Sequence, residues 1–241
     1  PRTVARIGDF AKAAMSRGLN VRLHAALPCT PWSALTRIRA AISQTYRLRR
    51  ELQRSQSRRM LKLLVALLAR LRGPKFGASF EWPAHCDGWP RSCPEIQSLI
   101  RELPVQCVFD GCAYGLVSGH GIPMRKPWRV QSSCPRHAAL LSDRCPGPRA
   151  HPLHERTTGR EAKRSERYTP LMVKRLITGL LAPSTKRAIV ERSRDVLEND
   201  VPDEPASGHQ LLLAVKTLHS NLGLQGPRAL ARAIRLSGGS D

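Results

Sequence analysis

The chain has 241 residues and a formal net charge of +22, from 40 basic and 18 acidic side chains. A hydrophobic share of 41% is ordinary for a globular protein and argues against wholesale disorder, and no apolar run approaches the roughly 20 residues that a membrane-spanning helix needs. Residues 1–80 contain 17 basic and two acidic residues, so most of the excess charge lies there. This excess predicts a polyanionic partner, and we expect nucleic acid, DNA or RNA, with no membrane partner.

Seven cysteines, an odd number without the even spacing of a secreted disulfide scaffold, indicate reduced thiols. We therefore expect an intracellular location, nuclear or cytoplasmic. The chain begins PRTVARIGDF, without an initial Met and without an apolar signal core, which is typical of an internal fragment.

The predicted elements alternate between helix and strand. A helix over residues 8–18 precedes a strand over 20–27, and residues 33–72, which lack Pro and Gly, form one long helix or a pair. Further strands are predicted at 77–82, 105–109 and 128–132, with a helix at 92–102. The alternation predicts an α/β fold built on a layered sheet.

The helical region 33–72 combines apolar and basic residues. Apolar residues recur at helical spacing from Leu35 through Ile38, Ile42 and Leu48 to Leu52, and we expect the leucine-rich run 61–71 to cover the sheet. Eight arginines fall away from the apolar stripe and are predicted to contact nucleic acid: Arg37, Arg39, Arg47, Arg49, Arg50, Arg54, Arg58 and Arg59.

Two residues with catalytic chemistry follow predicted strands. Cys29, in the segment Pro-Cys-Thr-Pro, comes directly after the first strand, and Glu81 ends the second. Because the carboxyl ends of parallel strands share one edge of a sheet, Cys29 and Glu81 are candidates for a common catalytic site. The alternative interpretation is a buried structural thiol and an ion-paired acid.

The order Pro-Cys, long helix, Glu-Trp-Pro resembles the core of DNA (cytosine-5) methyltransferases. The resemblance implies that Cys29 attacks carbon 6 of a flipped cytosine while Glu81 assists at the ring nitrogen. A later block, residues 113–129, is similar to a basic segment of that family and gives Arg125 and Arg129 as charge clamps. Only 28 residues precede Cys29, where the family places its cofactor-binding strands. The resemblance thus implies a partial methyltransferase-like sheet, which uses S-adenosylmethionine only if the missing half is supplied.

The chain after residue 133 is rich in Pro, His and Cys as far as residue 167. Four residues there have the ligand types of a tetrahedral zinc site, in which a metal would replace a missing core: Cys134, Cys145, His151 and His154. Their spacing lacks the CxxC pair of standard zinc fingers, and a solvated loop is the alternative. Cys107 and Cys112, which flank the third strand, are predicted to be buried structural thiols.

The C-terminal third is predicted to be helical, at residues 170–181, 184–198 and 210–222, with an acidic linker at 199–208. The segment Leu-His-Ser-Asn-Leu-Gly at 218–223 resembles the start of the zinc-binding pre-integrase region of copia-type retrotransposon polyproteins. Blocks within residues 80–128 are similar to a segment found upstream of integrase in some protist retroelements.

These resemblances imply a division into domains. They give a methyltransferase-like core at 1–133, a Cys/His-rich loop with helices at 134–198, the linker at 199–208 and a helical pre-integrase-like module at 209–241.

The sequence therefore predicts a nucleic-acid-binding segment of a longer retroelement polyprotein, connected with DNA integration and not catalytic as given. One alternative is a DNA cytosine-5 methyltransferase, or one half of a split enzyme. Another is a zinc-stabilised interaction module without catalysis.

Overall fold

The computed structural model describes residues 2–89, 93–181 and 210–216, which contain five strands and seven α-helices. The helices are α1 (Arg2–Ser16), α2 (Ala34–Ile42), α3 (Gln44–Leu71), α4 (Pro94–Glu102), α5 (Arg136–Leu140), α6 (Gly159–Arg164) and α7 (Pro170–Leu181). The strands are β1 (Asn20–Ala26), β2 (Phe76–Pro83), β3 (Val105–Asp110), β4 (Pro127–Ser132) and β5 (Gln210–Lys216). The predicted α/β class is confirmed.

The strands form one sheet in the order β3-β4-β2-β1-β5. β1 is parallel to both β2 and β5, whereas β4 is antiparallel to β2 and β3. As a result β1, β2 and β3 all end at the same edge, where β4 begins: Ala26 pairs with Glu81, Pro83 with Trp128 and Asp110 with Pro127. We call this side the carboxyl edge and the opposite side the amino edge.

One face of the sheet packs against α1, α3 and α4. Alternate residues of β1 and β2 point to this face, among them Leu23, Phe80 and Trp82, each at most 1% exposed. The helix side is supplied by the leucine-rich run 61–71, which confirms its predicted role as the cover of the sheet. Complete burial of one leucine stabilises the fold by about 2 kcal/mol.

The other face carries a second core beneath α5 and α7. Phe109 and Trp128 from the strands pack there with Met172 and Leu176 of α7. The buried His137 of α5 joins the layers, since its Nδ1 lies 2.6 Å from the Ser132 hydroxyl and its Nε2 2.8 Å from the Leu176 carbonyl oxygen. Helices therefore cover both faces, and the edges remain for binding.

The helical region 33–72 is a pair of helices rather than one. Ser43 separates α2 from α3: its backbone is extended, with φ −141° and ψ 120°, and its hydroxyl accepts the backbone N–H of Tyr46 at 3.3 Å. The predicted apolar stripe between residues 35 and 52 does not reach the core, because Ile42 is 83% and Leu48 is 65% exposed. In α2 the face turned inward carries Thr36 and Ala40 instead.

The predicted helix over residues 210–222 is wrong for its first seven residues, which form β5. The run Leu-Leu-Leu-Ala-Val at 211–215 is continuously apolar, and such a run suits a parallel strand as well as a helix. Residues 217–222, the predicted helix at 184–198 and the predicted linker at 199–208 lie outside the described residues. Among the described helices, none has the length and apolar character required to cross a membrane.

Candidate metal centre and nucleic-acid interface

Four metal-ligating side chains come together beyond the end of β3: Cys112, Cys145, His151 and His154. Their candidate ligand atoms all lie within 4.8 Å of one another. The Cys145 Sγ lies 3.6 Å from His151 Nδ1 and 3.4 Å from His154 Nε2. Two thiols and two imidazoles at this spacing could hold one tetrahedral metal ion.

Local structure explains why these four residues meet. Cys112 lies in a single 3₁₀ turn, Gly111–Tyr114, that directly follows β3. The loop after α5 returns to the same point, where the backbone N–H of Cys145 donates to Asp110 Oδ2 at 3.0 Å. The His151 N–H then donates to the carbonyl of Gly147, whose positive φ of 98° closes a turn that brings His151 back to Cys145.

Without a metal ion, the Cys112 thiol is protonated near pH 7. Burial, the hydrogen bond to Cys145 and the nearby Asp110 carboxylate raise the pKa of the Cys112 thiol to about 11. A coordinated metal deprotonates a thiol outright, so binding would release this proton.

Three of the four predicted metal ligands belong to this cluster, namely Cys145, His151 and His154, but Cys134 does not. Cys134 follows the far end of β4, at the amino edge, and a six-residue strand separates the two edges by roughly 20 Å. Cys112 takes the fourth place. The sequence predicted Cys112 to be a buried structural thiol, because the return of the loop could not be foreseen.

The predicted catalytic pair also lies at the carboxyl edge. Cys29 follows β1, and Glu81, 7% exposed, occupies the neighbouring position near the end of β2. Burial and the Glu81 charge raise the pKa of the Cys29 thiol to about 11, against the smaller opposing effect of Lys126. The fold thus brings Cys29 and Glu81 into electrostatic contact, with the thiol protonated.

A directed chain of hydrogen bonds ends at Glu81. The Tyr168 hydroxyl donates to Glu81 Oε2 at 2.6 Å, so its oxygen accepts from His24 Nε2 at 3.3 Å. His24 Nδ1 then accepts from the Ser79 hydroxyl at 2.8 Å. Burial lowers the pKa of His24 to about 4, which keeps the ring neutral, as this chain requires. No sequence pattern signalled this network, whose members lie up to 144 positions apart.

Several predicted nucleic-acid contacts are structural. Asp87, in the turn after β2, lies 3.2 Å from Arg50, 3.4 Å from Arg37 and 3.8 Å from Arg54. Arg50 and Arg54 each also donate through Nε to the Pro31 carbonyl at 3.1 Å. Since Arg50 is only 8% exposed, it binds the turn after β1 rather than a partner.

Three arginines along the same edge lie over tryptophan rings. The guanidinium of Arg129 lies 4.2 Å from the ring centre of Trp89, and those of Arg54 and Arg58 lie 4.7 and 5.9 Å from Trp32. Arg125 pairs with Asp110 at 3.4 Å. The remaining predicted contacts are exposed and have no carboxylate within salt-bridge distance among the described residues: Arg39, Arg47, Arg49 and Arg59.

Comparison with known proteins finds no family model, no curated protein and no solved structure that matches this chain. The site is therefore interpreted from its own geometry.

Proposed function

We propose that this chain is a zinc-stabilised domain that binds nucleic acid through the carboxyl edge of its sheet, as part of a retroelement polyprotein. The observation that carries the proposal is the sharing of carboxylates at that edge. Five arginines converge there on two acids: Arg37, Arg50 and Arg54 on Asp87, and Arg125 and Arg144 on Asp110.

Shared carboxylates leave a local excess of positive charge. Five guanidinium groups against two carboxylates give these two clusters a net charge of +3, and Glu51, 3.8 Å from Arg54, is itself 62% exposed and screened by water. Arg50 and Arg54 are held by the Pro31 carbonyl, so the exposed members Arg37, Arg125 and Arg144 are the ones that a partner can reach. Nucleic-acid phosphates are anions, and arginine binds them through paired N–H donors.

The donor set supports zinc as the metal. Two cysteine sulfurs and two histidine nitrogens in a compact group suit tetrahedral Zn²⁺ better than the oxygen-seeking Mg²⁺ or Ca²⁺. When bound, zinc would cross-link residues 145–154 to the end of β3 and so hold a loop that has little core of its own. All seven cysteines are free thiols, so no disulfide competes for these ligands.

Catalysis by Cys29 is the alternative, and its location beside Glu81 on adjacent parallel strands favours it. The reactive species would be the thiolate, and a thiol with a pKa of about 11 is almost wholly protonated near pH 7. No helix of full length begins at Cys29 to stabilise the anion, since only the short turn Thr30–Trp32 follows it. We therefore prefer binding to methyl transfer.

The test is a salt titration of nucleic-acid binding. Fluorescence anisotropy with labelled duplex DNA, single-stranded DNA and RNA gives the affinity of the zinc-loaded chain over a range of salt concentrations. Phosphate contacts predict a linear fall of log K with log salt, with a slope of about −0.9 for each phosphate neutralised on duplex DNA. Affinity that does not change with salt would contradict the proposal.

Two double variants locate the interface. R37A/R125A removes one exposed arginine from each carboxyl-edge cluster and is expected to weaken binding roughly tenfold and to flatten the slope by about two units. R70A/R72A removes two arginines near the amino edge, paired with Asp9 and Glu102, and serves as the charge-matched control that leaves binding nearly unchanged. An equal loss in both variants would show that net charge, and not this edge, attracts the nucleic acid.

A further inference from the structure

Asp110 connects the candidate metal centre to two arginines. Its side chain is 1% exposed, and Oδ2 accepts the backbone N–H of Cys145 at 3.0 Å. The same oxygen lies 3.4 Å from Arg125 Nε and 3.3 Å from Arg144 Nε. The other oxygen, Oδ1, is buried without a hydrogen-bond partner in the described part of the chain.

Each of the two arginine side chains contacts Asp110 on one side and is exposed to solvent on the other. Both approach Asp110 through Nε, while their side chains remain 56% and 52% exposed. Arg144 also donates through Nη1 to the Val108 carbonyl at 3.5 Å, which further fixes its direction. Two guanidinium groups on a single carboxylate keep one uncompensated positive charge, and their remaining N–H donors match the oxygens of a phosphate group.

The metal ligands lie directly beside this arrangement. Cys112 is two residues after Asp110, and Cys145 is the neighbour of Arg144 in the chain. In addition the Asp110 N–H donates to the Asp143 carbonyl at 3.0 Å, so the loop that carries Arg144 and Cys145 is bound to the end of β3 at two points. An ion held by Cys112 and Cys145 would therefore fix the backbone on both sides of the Asp110 carboxylate.

We propose that Arg125 and Arg144 form a clamp for one phosphate group, and that metal binding at the Cys112–Cys145–His151–His154 centre aligns this clamp through Asp110. The inference rests on the proposed function for its ligand, a backbone phosphate of nucleic acid. It goes beyond that function in one respect: binding of a phosphate group at the clamp depends on the bound metal ion.

The experiment is a two-by-two comparison of the full chain. Binding of labelled duplex DNA by wild type and by R125A/R144A is measured by fluorescence anisotropy. Each protein is measured with zinc bound and again after a chelator has removed the zinc. Circular dichroism shows whether the chain remains folded. Zinc removal and the double substitution are each expected to weaken wild-type binding roughly tenfold, and zinc removal is expected to have little further effect on the variant. Equal affinity of the folded zinc-free and zinc-loaded wild type would overturn the coupling.

Two further measurements keep the result decisive if the zinc-free chain unfolds. Zinc-loaded R125A/R144A must lose duplex affinity while R70A/R72A does not; unchanged affinity in R125A/R144A would overturn the clamp. D110N is expected to weaken zinc binding at least about tenfold, measured by competition with a chromophoric chelator, and unchanged zinc affinity would remove Asp110 from the coupling.

A separate arm distinguishes the source of the phosphate group. Millimolar inorganic phosphate at constant ionic strength is expected to leave duplex binding intact, and displacement of the duplex would instead assign the clamp to free phosphate. Absence of any salt-dependent binding by wild type would count against the proposed function itself, whereas binding that is indifferent to zinc and to the clamp counts only against this inference.

Discussion

The two edges of the sheet treat their arginines differently. Near the amino edge Arg70 and Arg72 each have an acid of their own: Arg70 pairs with Asp9 at 2.5 Å, and Arg72 binds both carboxylate oxygens of Glu102 at 2.6 and 2.8 Å. At the carboxyl edge Asp87 serves three arginines and Asp110 serves two. Arg70 and Arg72 are each neutralised by one acid, whereas the exposed arginines that share an acid, Arg37, Arg125 and Arg144, retain charge and donors for a ligand.

The cysteines follow the same division. Cys134, beyond the last residue of β4, lies at the amino edge and belongs to no cluster of three or more metal-ligating groups among the described residues, whereas Cys112 and Cys145 lie beyond the carboxyl edge with two histidines. Strand direction produces this contrast. β1, β2 and β3 all deliver their following loops to one side, where parallel sheets commonly bind ligands.

Removal of one metal ligand should have the largest effect, on both zinc content and stability. C145S is expected to lose stoichiometric zinc and several kcal/mol of stability, because the loop at 145–154 depends on the ion for its structure. C134S is the matched control at the other edge and should retain one zinc ion per chain. Zinc released on thiol modification, together with urea unfolding with and without zinc, measures both quantities. Loss of zinc in C134S and its retention in C112S would restore the ligand set predicted from the sequence.

Much of the fold could be predicted from the sequence. The Pro- and Gly-free helical region, the Leu61–Leu71 core face and the strands that begin near residues 20, 77, 105 and 128 follow from periodicity and from turn residues. Periodicity also misled, since Leu35 and Ile38 repeat at helical spacing yet are 54% and 58% exposed. Spacing shows which residues share a face, but not which face meets the sheet.

The candidate site was only partly predictable. His151 and His154 are three positions apart, and Cys145 is close to them in sequence, so the sequence alone predicts that these three ligands lie together. Cys112 joins them across more than thirty residues, and this contact depends on α5 and on the path of its loop. Arg50 shows the same limit, because only the fold reveals that its side chain faces Asp87 and the Pro31 carbonyl oxygen.

Substitution of one acid at each edge should have smaller effects on the free energy of unfolding, and the two effects should differ. D87N leaves Arg50, whose side chain is 9% exposed, beside a neutral group, and a loss of about 2 kcal/mol in the free energy of unfolding is expected. E102Q breaks a pair in which Arg72 is 70% exposed, so a loss below about 1 kcal/mol is expected. Urea denaturation of both variants at the same salt concentration measures the difference. Equal losses would mean that the shared carboxylate is no more important to the fold than the paired one.

Arginine-selective labelling tests the central claim most directly. The zinc-loaded chain is treated with phenylglyoxal, with and without saturating duplex DNA, and modification at each arginine is read by mass spectrometry. The account predicts protection by DNA at Arg37, Arg125 and Arg144, and unchanged labelling at Arg70 and Arg72. Protection that is equal at both edges, or greater at Arg70 and Arg72, would contradict a nucleic-acid interface at the carboxyl edge.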